Sequence, residues 1–379
     1  MLRVLFINHE TDVIGGSTLS LENLLRSVEG LVDPRIVVRE EGVVSSYLRK
    51  AGYDTFVIPF PLVKYRGKLL RRIIHFIPHC FYIWRERRRF TRQVLNELGS
   101  WSPEIIHTNS SIIDIGLILA KALDVPHVWH IREFLDIGFD LHFFPSKRSW
   151  RKKFAQSDAI IAVSSAIFEH YELRRYPRAY WINDAVRPAS FCKTILSKEK
   201  YFVFCASSIV DIKRPDVAVA AFRDSEVWRQ GFKLRMIGNC PEAVQQNLKC
   251  IAKEAAPALE FPGYCEDIRE HLLHASAFLM TSLYEGFGRV TVEAMFCGCP
   301  VISRRTTGSL DIIQDGATGF FFDTDEECSH LIADLAKRTP EKVIEAAAVK
   351  AVSMFSEESY GKRLMEVYRS IARDSKPLS

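Results

Sequence analysis

The sequence has few of the cysteine patterns that mark disulfide frameworks or zinc sites. Its nine cysteines are scattered over 379 residues, none forms a C-x-x-C pair, and the closest two, Cys297 and Cys299, flank a glycine in an apolar segment. Disulfide-rich domains and structural zinc sites use closely spaced or evenly numbered cysteines. We therefore expect reduced, buried thiols and no metal held by cysteine.

Long apolar runs are also missing. No stretch approaches the ~20 consecutive apolar residues that a membrane-spanning helix requires. The first residues, "MLRVLFINHE", lack the apolar core and cleavage site of a secretory signal and predict a β-strand. With 47% hydrophobic and 26% charged residues, the composition is typical of a globular protein. We expect a cytoplasmic protein.

Short, β-branched apolar runs alternate with helix-compatible segments along the chain. The candidate strands are "RVLFIN", "RIVVRE", "TFVIPF", "EIIHTN", "PHVWHI" and "DAIIAVS", then "YFVFCAS", "KLRMIG", "FLMTS" and "CPVISR". This alternation predicts parallel sheets covered by helices on both faces. Because the chain is too long for one growing core, the two series predict an α/β protein with two doubly wound domains.

Polar and turn residues at 182–200 separate the two series of strands. We place the first domain at 1–184 and the second at 185–355. Residues 356–379 predict a helix, because Ser356 suits the N-cap position and apolar residues follow at helical spacing.

Residues 284–298, "YEGFGRVTVEAMFCG", set two carboxylates around a glycine-rich turn. The β-branched residues of "RVTV" favour a strand locally. The neighbouring segments favour a helix, because one strand ends at Ser282 and another follows Pro300. The glycine turn then lies at the carboxyl end of a parallel strand, where ligands bind in open α/β sheets. Glu285 would lie at its mouth and Glu293 inside the helix.

The spacing from Glu285 to Glu293 resembles the E-x7-E signature of the retaining glycosyltransferases of the "glycosyl transferases group 1" family. That family has the GT-B fold, in which two Rossmann-like domains face each other across a cleft. Residues 261–322 resemble its donor-binding core, and "FVFCASSIVDIKRPDVAVAAF" resembles the segment that presents a phosphate-binding lysine. "INHETDVIGGSTLSLENLL" and "HVWHIREF" resemble segments of its amino-terminal domain. The resemblance also implies that residues 356–379 cross back to the first domain.

The resemblance implies a role for each matching residue. Glu293 would hold the ribose of a nucleotide, Glu285 and His130 would face the donor sugar, and Lys213 would stabilise the departing diphosphate. The expected catalytic residues are Glu285, His130 and Lys213. The expected donor-binding residues are Gly15, Gly16, Ser208, Lys213, Gly238, Gly286, Phe287, Gly288, Arg289 and Glu293.

The sequence departs from the family pattern at two informative places. An arginine that the family carries five or six residues before the lysine is replaced by Ser208 or Ser207. Arg214 or Arg289 is a candidate to supply the missing charge. The Gly-Gly pair of the family is Thr-Gly here, at residues 307–308.

Residues 323–325, "DTD", have the form of the metal-binding motif of a different glycosyltransferase fold. They follow a strand and precede a helical segment, so a helix N-cap with acids in the first turn is the simpler interpretation. We therefore predict sugar transfer without a metal or another cofactor.

Residues 64–92 hold ten basic side chains and one acid, interleaved with aromatic and aliphatic residues. This pattern suits an anionic membrane surface. A solvated helix face is the structural alternative, and no module for nucleic acid is recognisable. We expect a peripheral enzyme that meets a lipid-linked or glycan acceptor at the cytoplasmic leaflet.

The predicted function is retaining, metal-independent, hexosyltransferase-like transfer from a nucleotide sugar, in the synthesis of cell-surface polysaccharide or glycoconjugates. Two alternatives remain open. One is a GT-B sugar-nucleotide epimerase, which needs no acceptor. The other is a non-catalytic subunit that binds a sugar nucleotide or glycan, which the serines at 207–208 keep open.

Overall fold

The computed structural model describes residues 1–12, 14–66, 76–137, 141–144 and 146–374. The chain forms two compact units: unit 1 comprises Met1–Asp184 and Tyr360–Ser379, and unit 2 comprises Ala185–Ser359. Sequence reasoning placed the return to the first domain at residue 356, four residues before Tyr360. The difference arises because the first turn of the terminal helix is hydrogen-bonded within unit 2, where the Glu357 amide donates to the Arg187 carbonyl.

Unit 1 is built on a seven-stranded parallel sheet. The first nine strands of the chain are β1 Leu2–Asn8, β2 Val32–Val38, β3 Asp54–Val57, β4 Lys64–Arg66, β5 Ile105–Thr108, β6 His127–Ile131, β7 Leu141–Phe143, β8 Ala159–Ala162 and β9 Ala179–Trp181. The sheet order is β3-β2-β1-β5-β6-β8-β9, and β4 pairs separately with β7 in an antiparallel hairpin.

Helices cover the sheet of unit 1. They are α1 Gly16–Ser27, α2 Val43–Lys50, α3 Phe76–Leu98, α4 Ile115–Leu123, α5 Lys147–Phe154 and α6 Ser165–His170. β1, β5, β6 and β8 are buried along most of their length, as expected for strands covered on both faces. Within the described residues, no helix has both the length and the apolar composition needed to cross a membrane.

Unit 2 is built on a six-stranded parallel sheet. Its strands are β10 Tyr201–Ser208, β11 Lys233–Asn239, β12 Leu259–Gly263, β13 Ala277–Met280, β14 Val301–Arg304 and β15 Phe320–Phe322. The order is β12-β11-β10-β13-β14-β15. The remaining helices are α7 Pro215–Asp224, α8 Glu242–Ala252, α9 Arg269–His274, α10 Arg289–Phe296, α11 Ser309–Ile312, α12 Asp325–Lys337, α13 Glu341–Phe355 and α14 Glu357–Asp374.

Both sheets reverse their strand order at the centre. The reversal lies between β1 and β5 in unit 1, and between β10 and β13 in unit 2. Loops that leave the carboxyl ends of two such strands diverge and open a crevice, which is where ligands bind in doubly wound folds. The loops after these four strands are therefore the places to look for a site.

Several local predictions are confirmed by the structure. "RVTV" begins α10, because Gly288 adopts a left-handed conformation (φ 107°) and starts the helix. Ser356 caps α14 by accepting a hydrogen bond from the Ser359 amide at 3.2 Å. The apolar stripe of α14 at Leu364, Val367, Tyr368 and Ile371 is buried.

Some elements were missed by sequence reasoning. β12, "LEFPG", contains proline and glycine, which strands disfavour, and β9, "AYW", is a short edge strand with an exposed end. The expectation of buried thiols holds for Cys297, Cys299 and Cys328, whereas Cys250 is exposed and five others are intermediate. All nine cysteines are free.

Candidate functional site

Lys213 and Glu285, both predicted for the site, meet at the strand-order reversal of unit 2. Lys213 ends a 3-10 turn, Asp211–Lys213, that follows β10, and Glu285 lies in the loop after β13. The Lys213 Nζ donates to Glu285 Oε1 at 2.5 Å, and the Ser282 hydroxyl donates to the same oxygen at 2.7 Å. The side chains are 30% and 14% exposed, so a ligand can reach the pair from solvent.

The loop that carries Glu285 is held by the loop after β14. The Thr307 hydroxyl donates to the Glu285 carbonyl at 2.8 Å and accepts from the Glu285 amide at 3.0 Å. The Gly308 amide donates to the same carbonyl at 3.1 Å. A Cβ on Gly308 would lie 2.4 Å from the Phe287 carbonyl oxygen, so this close approach requires glycine. The Thr-Gly departure thus keeps the glycine that packing demands and adds a hydroxyl that fixes the loop.

The predicted donor-binding residues 286–289 differ in what they expose. The Phe287 side chain is 5% exposed and packs edge-on against Phe355, with ring centroids 5.7 Å apart. It therefore belongs to the core of unit 2 and offers a ligand its backbone alone. Gly286 and Gly288 flank it, and Gly288 precedes the amino-terminal end of α10, whose helix dipole attracts negative charge.

Glu293, the second acid of the motif, lies on the inner face of α10 and forms an ion pair that sequence reasoning missed. The Arg187 Nη2 lies 3.1 Å from Glu293 Oε1. The guanidinium carbons of Arg187 and Arg269 lie 4.8 and 4.3 Å from the centroid of the Phe191 ring. Arg187 follows directly on the predicted domain boundary, in a stretch interpreted as a linker, so no local signal marked it.

The two arginines expected to replace the missing family arginine are engaged elsewhere in unit 2. Arg214 pairs with its neighbour Asp216, at 2.8 Å between Nη2 and Oδ2. Arg289 donates from Nη1 to the Ala185 carbonyl at 3.1 Å. Ser208 lies exposed at the end of β10, on the same edge of the sheet as the lysine turn.

Gly238 is the next-to-last residue of β11 and lies beside a cavity at the carboxyl ends of β11 and β12. Its φ is 138°, and a Cβ there would lie 1.8 Å from the Ala206 carbonyl oxygen, so the position requires glycine. The cavity has a volume of about 170 Å³. Its lining residues are Gly238, Asn239, Cys240, Gln245, Phe261, Gly263 and Tyr264.

In unit 1, the predicted glycine loop leads into α1. Gly15 is the N-cap and Gly16 the first helical residue. The Glu10 carboxylate already accepts hydrogen bonds from the amide and hydroxyl of Thr18, and a Cβ on Gly15 would lie 2.7 Å from Glu10 Oε1. The Glu10 carboxylate therefore occupies the amino-terminal end of α1, where the helix dipole attracts an anion. Sequence reasoning missed Glu10.

His130, predicted to face the donor sugar, is fully buried on β6. Its Nδ1 lies 3.2 Å from both Arg132 Nη2 and His107 Nε2. Its Nε2 lies 3.9 Å from Asp184 Oδ1 and finds no hydrogen-bond partner among the described residues. Burial, assisted by the Arg132 charge, lowers the pKa of His130 well below its usual value, so the ring is neutral near pH 7.

The surroundings of His130 were also missed. Arg132 forms a bidentate pair with Asp184, at 2.5 and 2.7 Å from Nη1 to the two carboxylate oxygens. The Tyr368 hydroxyl of α14 lies 2.7 Å from His107 Nδ1, across 261 residues of sequence. Partners this distant leave no spacing pattern in a single sequence.

Part of the basic stretch 64–92 lies outside the described residues, namely 67–75. On the described part of α3, Phe81, Trp84 and Arg85 are exposed, and the Arg88 guanidinium lies 4.1 Å from the centroid of the Trp84 ring. Arg87 instead pairs with buried Asp114 and so helps to hold α3 in unit 1. We call Phe81, Trp84, Arg85 and Arg88 the α3 patch.

The "DTD" segment forms the start of α12, as predicted. The Thr324 hydroxyl accepts from the Glu327 amide at 3.2 Å, and Glu327 Oε2 accepts from the amides of Asp323 and Thr324 at 2.7 and 3.2 Å. This reciprocal arrangement is a capping box.

Comparisons with known proteins agree with this architecture. Residues 186–350 match the family described as Glycosyl transferases group 1, and residues 43–182 match Glycosyltransferase Family 4. An uncharacterized glycosyltransferase of Methanocaldococcus jannaschii is 24% identical over 84% of this chain and 83% of its own length. A sucrose synthase of Acidithiobacillus caldus is 33% identical over 24% of this chain, and the match spans 13% of its length.

A solved structure shares the fold over nearly the whole chain. Anabaena HepE, crystallised in complex with UDP, superposes with a TM-score of 0.79 at 16% identity and covers 97% of this chain and 100% of its own. The two doubly wound units are therefore the Rossmann-like domains of a GT-B fold. Taken with the family matches, which place glycosyl transferases group 1 in unit 2 and Glycosyltransferase Family 4 in unit 1, this identifies a GT-B glycosyltransferase whose second unit is of the group 1 family.

Proposed function

We propose that this protein transfers a hexose from a nucleotide sugar to a glycan or lipid-linked acceptor, with retention of the anomeric configuration and without a metal. The process served would be the synthesis of cell-surface polysaccharide or glycoconjugates. The relative solved with UDP makes uridine diphosphate sugars the first donors to test.

The observation that carries the proposal is the Lys213–Glu285 pair at the strand-order reversal of unit 2. Breaking a sugar–phosphate bond moves negative charge onto the departing diphosphate, and a fixed cation close to that charge lowers the barrier. Lys213 can supply the cation, together with the positive end of the α10 dipole. Because Glu285 shares Oε1 between Lys213 and Ser282, its other oxygen remains available to a sugar hydroxyl.

Glu293 and the cavity at Gly238 support a nucleotide on the same edge of the sheet. A carboxylate accepts hydrogen bonds from the two ribose hydroxyls, and each such charge-assisted bond contributes about 1.5 to 3 kcal/mol. The ion pair with Arg187 fixes the direction of the Glu293 carboxylate. The residues that line the cavity include Phe261, Tyr264 and Asn239. This mixture of aromatic and polar residues suits a planar base.

The test begins with thermal stabilisation of the purified protein by a panel of nucleotide sugars, because a ligand that binds the folded state raises its stability. The stabilising donor is then incubated with candidate acceptors. Proton NMR of the product reports the anomeric configuration, which we expect to match that of the donor. An inverted product would contradict retention, and loss of activity in EDTA with recovery in magnesium would contradict metal independence.

The same assay separates the alternatives. An epimerase would convert the sugar nucleotide with no acceptor present, and a non-catalytic subunit would bind the donor without transfer or hydrolysis. We expect transfer that depends on the acceptor.

For the acceptor side, we propose that the α3 patch contacts an anionic cytoplasmic membrane surface, where a lipid-linked acceptor would lie. Exposed aromatic and cationic side chains share this helix face, and each cation near such a surface contributes about 1 kcal/mol. Basic charge on the patch complements anionic headgroups. Arg85 pairs with Glu86 at 3.0 Å but keeps a mostly exposed side chain, whereas Arg87 takes no part because it is paired with buried Asp114.

Vesicle flotation at low salt tests the patch. The variant W84A/R85Q/R88Q should lose binding to vesicles that contain phosphatidylserine. Arg229→Gln is the matched control, because Arg229 also lies over a tryptophan ring but in unit 2, and it should bind as the parent does. Equal binding by the triple variant and the control would contradict the membrane role.

A further inference from the structure

Four buried side chains of unit 1 form a continuous polar chain. It runs from the Tyr368 hydroxyl to His107 Nδ1 at 2.7 Å, and from His107 Nε2 to His130 Nδ1 at 3.2 Å. Arg132 Nη2 reaches the same His130 nitrogen at 3.2 Å. All four side chains are buried, and Tyr368, His107 and His130 are inaccessible to solvent. Each group must therefore find its partners inside the protein.

The chemistry of these groups fixes where each proton lies. A guanidinium can only donate, so His130 Nδ1 must accept and carries no proton. His107 Nε2 faces that same acceptor and must also donate. Both imidazoles are neutral, because burial lowers their pKa values well below the usual one. His107 Nδ1 is then an acceptor, and the Tyr368 hydroxyl donates to it.

The remaining proton of His130 is consequently on Nε2. That nitrogen has no hydrogen-bond partner among the described residues and lies 3.9 Å from Asp184 Oδ1, beyond hydrogen-bond distance. A buried donor left unpaired is costly, and such groups mark places where a further partner is to be expected.

We propose that Tyr368, His107 and Arg132 are positioning residues that lock His130 as its Nε2–H tautomer and leave that N–H free as a donor. Arg132 sets the protonation pattern of His130, and Tyr368 of the terminal helix α14 completes it by donating to His107. The lock itself is a property of unit 1. Its value for sugar transfer rests on the proposed function, because the buried Nε2 can donate to a sugar oxygen only in a state of the protein that uncovers it.

Nitrogen NMR of protein labelled with 15N-histidine tests the lock without any substrate. His130→Gln and His107→Gln variants assign the two signals by their disappearance. Near pH 7 we expect His130 to show an unprotonated Nδ1 and a protonated Nε2, and His107 to show the same pattern. An Nδ1–H tautomer or an imidazolium at His130 would overturn the proposal.

The Tyr368→Phe variant removes the first donor while keeping the ring. Because His107 Nδ1 then has no donor facing it, its nitrogen signal should shift, whereas His130, still facing the Arg132 donor, should keep its Nε2–H tautomer. Ile371→Val is the matched control, since it trims a buried side chain on the same helix that is not part of the chain, and it should leave both patterns unchanged. An unaltered His107 signal in Tyr368→Phe would contradict the hydrogen bond from Tyr368 to His107.

Kinetics add a readout that a purely structural role would not produce. With a donor that the protein uses, Tyr368→Phe should lower kcat by about tenfold, the equivalent of one ordinary hydrogen bond, and leave KM for the donor nearly unchanged. An equal loss in Ile371→Val would contradict a positioning role. If the unaltered protein shows no transfer, the proposed function fails, while the NMR result still decides the tautomer.

Discussion

The polar side chains near the two strand-order reversals differ in burial and in hydrogen bonding. In unit 1, the histidines, Arg132 and Asp184 are buried and bonded to one another. In unit 2, the Lys213–Glu285 pair is partly exposed and has few other partners. A buried polar network must be satisfied for the unit to fold, whereas a half-exposed ion pair contributes little to stability and can exchange partners with a ligand. The difference predicts that perturbation of unit 1 affects folding and perturbation of unit 2 affects activity.

Lowering the pH should produce the largest difference in stability between the two units. Four histidines of unit 1, three of them buried and His9 half-buried, have lowered pKa values: His9 (to about 4), His127 (to about 3), His107 and His130. Each takes up a proton below pH 6.5 in the unfolded chain but not in the folded unit. The free energy of unfolding of unit 1 therefore falls with decreasing pH, by about 1.4 kcal/mol per pH unit for each histidine.

Two other groups modify the acid response. The raised pKa of half-buried Glu133 acts in the opposite direction in unit 1, and in unit 2 the pKa of half-buried His271 is lowered by desolvation. We expect unit 1 to open first when the pH falls from 7 to 5, as followed by hydrogen exchange corrected for the intrinsic rate. If unit 2 opened first, the expected greater acid sensitivity of unit 1 would be contradicted.

Removing one cation from each unit gives the next largest effect. Arg132→Leu leaves the carboxylate of Asp184 buried without its partner and should destabilise the protein by about 3 to 5 kcal/mol. Lys213→Met breaks a half-exposed pair and should change stability by less than about 1 kcal/mol. Urea unfolding measures the free energy of unfolding of both variants. Equal losses would contradict the claim that the polar groups of unit 1 matter more for folding than those of unit 2.

A smaller effect is expected at Glu293. Glu293→Gln should weaken UDP binding by about tenfold to a hundredfold, because hydrogen bonds to a charged carboxylate are stronger than those to an amide. Isothermal titration calorimetry measures the change. Glu345→Gln, at an exposed position of α13, is the matched control and should bind as the parent does. An unchanged Kd in Glu293→Gln would separate this acid from nucleotide binding.

The smallest effect concerns the loop that holds Glu285. Thr307→Val removes the hydroxyl that bonds to both the amide and the carbonyl of Glu285, and should cost about 1 kcal/mol in stability. Thr307→Ser keeps the hydroxyl and should lose less. Thermal unfolding compares the pair, and identical losses would mean that the methyl group, rather than the hydroxyl, carries the effect.

The fold and the unit 2 site were predictable where the signal is local. Alternating apolar runs revealed most strands, and the glycines around Glu285 and the strand order revealed the loop and α10. Lys213 and Glu285 are 72 residues apart, but both follow a strand at the reversal of the sheet, so topology alone brings them together.

The partners that tune these residues could not be predicted. Tyr368 meets His107 across 261 residues, and Arg187 meets Glu293 from a stretch without periodicity. Glu10 and Thr307 act through hydrogen bonds to backbone whose direction depends on the exact loop conformation. Composition and spacing do not encode such directions.

The rate of donor cleavage in Glu285→Gln tests the central claim, that the Lys213–Glu285 pair of unit 2 carries sugar transfer. Release of nucleoside diphosphate is measured with the donor that stabilises the parent protein, alongside Glu345→Gln as the control. We predict that Glu285→Gln lowers kcat by about a hundredfold or more, the scale expected when an oriented charged group is lost from an active site, while its urea unfolding stays close to that of the parent. A kcat equal to that of the control would contradict the account.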